Sequence, residues 1–414
     1  NTTASNNTAI GDSALWANTT GSDNVAVGSG ALDANTTGTY LVAVGKGALT
    51  NATTASNNVA IGRVAMEAAT TAYNNVAVGT RALDACVDGG WNTAVGDGAL
   101  SAATSSSENV AVGGNALETN TTGANNVAVG MNALKLNTTA NNNTAVGDDA
   151  LRNNTTGTQN TAVGGFAGDA NTTGHRNTSV GYNAGSTTTT GNDNAALGRQ
   201  ALVLNTTGSN NNAFGNSALE QNTTASNNNA FGYYSLASNT TGTQNTGFGH
   251  NTLYANTTAS NNTAVGFDAL EDCTTGEMNT AIGAYAGDAL TTGSYNIAIG
   301  KDAVGSATTA NYNIGIGVHA LKDEASGTGN VAIGHAALED SNGGGNNTAV
   351  GYGTLRDNTT ADNNTAVGFE ALNVNTTGYW NTAVGKDALQ SCTTGFGNTA
   401  VGHEALEDCT TGER

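Results

Sequence analysis

Asn143-Thr144-Ala145-Val146-Gly147-Asp148-Asp149-Ala150-Leu151 returns later in the chain as Asn262-Thr263-Ala264-Val265-Gly266-Phe267-Asp268-Ala269-Leu270. Extended in both directions, the stretch belongs to a 17-residue unit, N-T-T-G-x-x-N-T-A-V-G-x-x-A-L-x-x. This unit fills residues 1–408 as twenty-four blocks without insertion or deletion, and residues 409–414 begin a twenty-fifth. An unbroken period of this length indicates one structural coil per repeat, stacked on its neighbours. The expectation is an all-β, parallel β-solenoid of 24 coils, rod-shaped, forming one elongated domain. At ~4.8 Å per coil the rod would be on the order of 115 Å long. The chain starts in phase with the repeat and stops inside one, as expected of a mature fragment or a window from a longer array.

Within a block, T/V-A-V/I-G alternates larger and smaller side chains, the period-two signature of a strand. Positions 8 and 10 share one face, and positions 9 and 11 the other. The larger face is expected to fill the core. The flat Ala/Gly face would then lie outside as an apolar stripe, a candidate surface for self-association. The x-x-A-L-x-x segment is too short for a stable helix and reads as a turn or a second short strand.

Position 11 is Gly in all twenty-four blocks, beginning Gly11, Gly28 and Gly45. Position 7 is Asn in twenty-three, including Asn7, Asn24, Asn58, Asn75, Asn92, Asn109, Asn126, Asn143 and Asn160, with Leu41 the exception. A stacked amide can donate to one coil and accept from the other, so an asparagine ladder is expected. The Thr pair at positions 2 and 3 would point to opposite sides if extended, giving one inner hydroxyl row and one outer.

Departures from the consensus suggest compensation. Gly168 and Gly287 replace the usual Leu, each two residues after a ring, Phe166 and Tyr285, that would fill the hole. Phe214, Phe231 and Phe248 replace Val in consecutive blocks and are expected to stack in the core.

Function classes narrow by composition. Asp and Glu number 32 against 12 Lys and Arg, a net charge of −20. That balance disfavours nucleic acid and anionic membranes as partners. No apolar run is long enough to insert in a membrane as a helix, and no signal peptide stands at Asn1. Pro is absent, which suits a backbone whose N–H groups all enter ladders.

The five His occupy variable positions without metal-ligand spacing, and no nucleophile–base set recurs. No cofactor, metal or enzymatic role is therefore expected. All four Cys replace Asn at position 1. Cys392 and Cys409, one coil apart, would bring their Cα atoms to ~5 Å, within disulfide range. The alternative is that each is a small substitute in the ladder.

Asn-Thr-Thr is also a glycosylation sequon, making Asn120, Asn137, Asn154, Asn171, Asn205 and Asn222 candidate carriers of glycans. Sugars one coil apart would crowd, so ladders rank first. Tyr295, Tyr312, Tyr379 and Trp380 sit at permissive positions 5 and 6. There Tyr295 and Tyr312 would form a sugar-stacking platform, or else stand as isolated surface rings.

The N-T-A-V-G-x-x-A-L core resembles the head repeats of trimeric autotransporter adhesins, S/N-x-A-I-G-x-x-A. The whole unit is still more similar to the N-T-T-G-x-x-N-T-A-V-G-x-x-A-L arrays of bacteriophage tail fibres and bacterial surface proteins. The extra N-T-T corner departs from the shorter adhesin coil. The resemblance implies a parallel β-solenoid, commonly a homotrimer, outside the cell or on a virion surface. The leading functional expectation is thus a structural extracellular fibre or adhesin/tail-fibre shaft, self-associating as a trimer or filament. Binding of surface glycans through the variable positions is the alternative. An ice-binding solenoid ranks below both, because the mixed residues at position 8 spoil a second Thr rank.

Overall fold

The computed structural model describes residues 3–412. It is a parallel β-solenoid of 24 three-residue strands, one per 17-residue turn, with no helix among the described residues. The residues group into two compact units, Asn1–Ser209 and Asn210–Arg414. The first holds β1 (Thr8–Ile10) to β12 (Ala195–Leu197), and the second β13 (Asn212–Phe214) to β24 (Thr399–Val401).

Within each unit every strand pairs in parallel with the next, offset by one repeat. Val110 meets Val127, Ala111 meets Ala128 and Val112 meets Val129. Identical coils therefore place identical side chains above one another, and each position of the repeat becomes a row.

The faces are the reverse of the expectation drawn from side-chain size. Ala at position 9 is the inward residue; Ala26, Ala43 and Ala60 are fully buried. Positions 8 and 10 point out, so a strand such as Val25–Val27 is covered only at its centre. The reason is a narrow interior, across which position 9 faces the turn at positions 14 and 15. A Cβ built on Gly247 would lie 2.5 Å from Ser235 Oγ and 2.7 Å from Thr252 Oγ1. Where position 14 grows from Ala to Ser235 and Thr252, position 9 accordingly shrinks to Gly247. The core is therefore Ala and Leu: Ala31 with Leu32, Ala99 with Leu100, Ala133 with Leu134, all fully buried.

The A-L segment is neither helix nor strand. Positions 13 and 15 both take left-handed conformations, as in Asn115 (φ 56°) and Leu117 (φ 52°), and position 6 adds a third, Asn125 (φ 60°). A left-handed Leu is costly on its own. Here it swings the side chain into the core and aligns its N–H with the next coil, as in Leu100 N to Ala116 O at 2.9 Å. Gly168, Gly185 and Gly287 fill this position in three coils, and Gly adopts the conformation without strain.

The holes those glycines leave are not filled by the preceding rings. Tyr285 is exposed and Phe166 half-buried, each set edge-on to a neighbouring ring outside. Gly287 is instead approached by Leu290 and Leu270, and Gly168 by Leu151 and Ser179. Phe214 does stack on Phe231 (4.7 Å, 10°) and Phe231 tilts against Phe248 (5.7 Å, 31°), but on the outer face, where Phe248 is 58% exposed.

Candidate functional site

Two asparagine ladders run along the interior. At position 7, Asn58 Oδ1 accepts the backbone N–H of Asn75 at 2.9 Å, and Asn58 Nδ2 donates to Ala72 O at 2.7 Å. Both bonds reach forward to the next coil, and Asn75, Asn92, Asn109 and Asn126 also donate Nδ2 back to the Oδ1 of the preceding coil at 3.1–3.2 Å, the two-way ladder expected from the repeat. The pattern recurs at Asn75, Asn92, Asn109, Asn126 and Asn143. The backbone N–H of Leu41 donates to Asn24 Oδ1, but the Leu side chain offers no acceptor to the next coil.

The second ladder is at position 1. Asn137, Asn154 and Asn171 each donate Nδ2 to the Oδ1 of the Asn one coil before, at 2.7–3.0 Å. Each also donates to its own position-4 carbonyl. The six candidate glycan carriers all belong here. Asn120, Asn137, Asn154, Asn205 and Asn222 are fully buried and Asn171 is 2% exposed. An N-linked glycan needs this nitrogen outside and unoccupied. In the folded coil it is inside and bonded, so the sequon pattern marks a ladder.

The cysteines substitute in the same ladder. Cys86 Sγ and Cys273 Sγ donate to Gly89 O and Gly276 O, the carbonyls an Asn would take. Burial pushes Cys86 up to about 11 and Cys273 up to about 12, so both thiols stay protonated and unreactive. Cys392 and Cys409 are free thiols, and Cys392 Sγ points to Gly395 O within its own coil.

Threonines 2 and 3 do not straddle the wall. Position 2 sits at the rim, where Thr121 Oγ1 donates to Thr138 O and Thr138 Oγ1 to Thr155 O, at 3.0 and 3.1 Å. Position 3, such as Thr122, is exposed beside it. The inner hydroxyl row is therefore absent from these coils.

The outer surface divides into two regions. The turn at positions 12–17 carries most of the charge. Around residues 268–302 it gathers Asp268, Glu271, Asp272, Asp288 and Asp302, with His250 3.6 Å from Asp268. Burial raises Asp288 to about 6, and Asp302 and Asp272 add repulsion. Burial also raises Glu271, and Asp268, Asp272 and Asp288 push it further up.

The folded state thus binds more protons than the unfolded chain between the ordinary Asp value, 3.8, and about 6. Stability should rise as pH falls through this window, and the penalty should be fully present above it. Asp288→Asn is expected to raise the melting temperature at pH 8 and to lose that advantage by pH 4. Melting curves across pH check it, and a constant difference would refute it.

Asp387, His403 and Glu404 are the one trio among the described residues whose ligand atoms lie within 4.8 Å of one another. Lys386 already pairs with Asp387 there. The rings at positions 5 and 6 pack on one another: Tyr295 on Tyr312 (5.0 Å, 11°), and Tyr379 edge-on to Trp380 and flat on Phe396. Stacked along the coil axis, Tyr295 and Tyr312 each cover one face of the other and stay 46% and 62% exposed.

The other region is the sheet face at positions 8 and 10. Every residue there is Thr, Val, Ile, Leu, Ala, Asn or Phe, and none is charged in any of the 24 coils. Exposed members include Ile61, Val76, Val129, Val163, Ile282, Ile333 and Val367. The described residues form no pocket, and no helix among them is long and apolar enough to cross a membrane. No family model matches the chain, and no curated protein matches its sequence.

Proposed function

We propose that the chain is the shaft of an extracellular fibre, on a cell or virion surface, and that copies associate through the outer sheet face at positions 8 and 10. A stacked-repeat β-solenoid suits a structural shaft, because length and stiffness grow with each added coil. The proposal assigns it no catalytic role.

The observation that carries the reading is the uncharged sheet face on a chain of net charge −20. Charge would keep copies apart everywhere except along this face. Twelve strands ~4.8 Å apart and a face ~10 Å wide give roughly 600 Å² per copy and unit. A face-to-face pair would bury about 1,200 Å² in total, enough for a specific interface. The association stripe is thus the Val/Thr face, while the Ala face belongs to the core. Binding of surface glycans, with the exposed Tyr295–Tyr312 stack as its contact, is the second reading.

Sedimentation tests it. The wild-type chain is expected to sediment as an oligomer, increasingly so as added salt screens the net charge. Val95→Glu, Val129→Glu and Val163→Glu together, in alternate coils so that the new charges are not stacked directly on one another, should yield monomers with little change in melting temperature, because these side chains point outward. A monomeric wild type at high salt would refute the association.

A further inference from the structure

Coils 20 and 21, residues 324–357, depart from the repeat in a concerted way. Glu324 replaces Asn at position 1, Ser341 does so one coil later, and Asn342-Gly343 stands where Thr-Thr is usual. Asn342-Gly343 is the one Asn-Gly step in the chain.

These departures converge on a single carboxylate. Glu324 is fully buried. Its Oε1 accepts from the backbone N–H of Ser326 (3.2 Å), Gly327 and Gly343 (3.0 Å). Its Oε2 accepts from Ser341 Oγ (2.6 Å) and Asn330 Nδ2 (3.5 Å). All five partners are donors and no cation pairs with it among the described residues, so the arrangement holds an acceptor-only carboxylate. Asn342 is exposed, and its side chain makes no hydrogen bond among the described residues. Gly343, at φ 111°, has no Cβ to hinder approach to its nitrogen.

We infer that Asn342 is a self-modification site, at which Glu324 acts as general base for deamidation through a succinimide. The Gly343 nitrogen attacks Cγ of Asn342 while its proton passes to Glu324 Oε1. The new N–C bond closes a five-membered ring, and the C–N bond to the side-chain amide breaks, releasing ammonia with a proton returned from Glu324 or solvent. Water then opens the ring at either carbonyl, leaving aspartate or isoaspartate at position 342. The net change is one water consumed and one ammonia released, with no redox step. No other coil can follow this route, because the Thr, Val87 or Ala325 at position 2 has no amide to cyclise.

The product matters for the stack. It places a new negative charge beside the buried Glu324. In the isoaspartate form it lengthens the main chain by one methylene, next to the bond from Asn342 N to Thr359 O (2.8 Å). One coil would lose register while its neighbours keep theirs.

Peptide mapping by mass spectrometry during incubation at neutral pH is the test. Folded wild-type protein should gain about one dalton at Asn342, with split aspartate and isoaspartate peaks, several-fold faster than the same chain in urea. Glu324→Gln, shown folded by circular dichroism, preserves the shape of the site and should slow the reaction roughly a hundredfold, the low end of what a positioned base contributes. A folded wild type that deamidates no faster than the chain in urea would overturn the proposal, independently of whether the variant folds. So would an unchanged rate in Glu324→Gln, leaving Glu324 as a corner cap only.

Discussion

Gly113→Ala is expected to destabilise its coil by about 3 kcal/mol or more, with the neighbouring coils loosened in turn. Two separate costs combine. Gly113 has φ 136°, a region closed to other L-residues and worth about 1–3 kcal/mol of strain when one is forced there. The new Cβ would also lie 2.4 Å from Gly130 O and 2.6 Å from Gly130 C. These are backbone atoms of the next coil, and the ladder bond from Gly130 N to Val112 O at 2.8 Å holds them in place. Nothing can rotate away, so the coils must separate, at a further cost of about 1–3 kcal/mol. The adjacent Gly114 is an internal control, with nothing within 4 Å of its virtual Cβ. Gly114→Ala should stay within about 0.5 kcal/mol of wild type. Thermal melts read the difference, and hydrogen exchange locates it, since a repeat array need not unfold in one step. Equal behaviour of the two variants would show that Gly at position 11 is not a spacing requirement.

The next largest effect is expected at the position-7 ladder. Asn92→Ala removes an amide that is 1% exposed. The N–H of Asn109 loses its acceptor at 3.1 Å, and Ser106 O loses its donor at 2.8 Å. Asn75 Oδ1 loses the Asn92 amide at 3.1 Å. Water cannot replace these partners in a packed interior, and each buried group left unsatisfied costs about 1–3 kcal/mol. Allowing for relaxation, a loss of roughly 3 kcal/mol is expected, against less than about 0.5 kcal/mol for the exposed Thr122→Ala. Leu41 shows that the stack accommodates one gap of this kind where an apolar side chain fills the volume. Asn92→Ala fills nothing, and a melt indistinguishable from wild type would mean that the ladder is incidental to stability.

Legibility of the fold differs from position to position. Asn at position 7 was readable because one residue type repeated in register has few uses other than a ladder. The left-handed Leu at position 15 was not read, although its signal is in the sequence. Leu alternates there with Gly168, Gly185 and Gly287, and position 13 favours Asn, Asp and Gly. Those are the residues that tolerate left-handed backbone. The position-1 ladder was hidden behind the sequon, since Asn-Thr-Thr reads the same whether its amide faces inward or outward.

The period, the strand at positions 8–10, the turn at positions 12–17 and the stacking of like on like were set by the sequence alone. Each is a local pattern repeated without interruption. Which side of the strand is inside was decided only in three dimensions. Alternation distinguishes two faces but does not rank them, and the usual ranking by size fails here. A 17-residue turn closes so tightly that the A-L segment lies directly across from position 9, where an Ala fits and a Val does not. Val, Ile and the three Phe therefore line the surface on which the proposed association depends, and the burial of the position-1 asparagines follows from the same narrow interior.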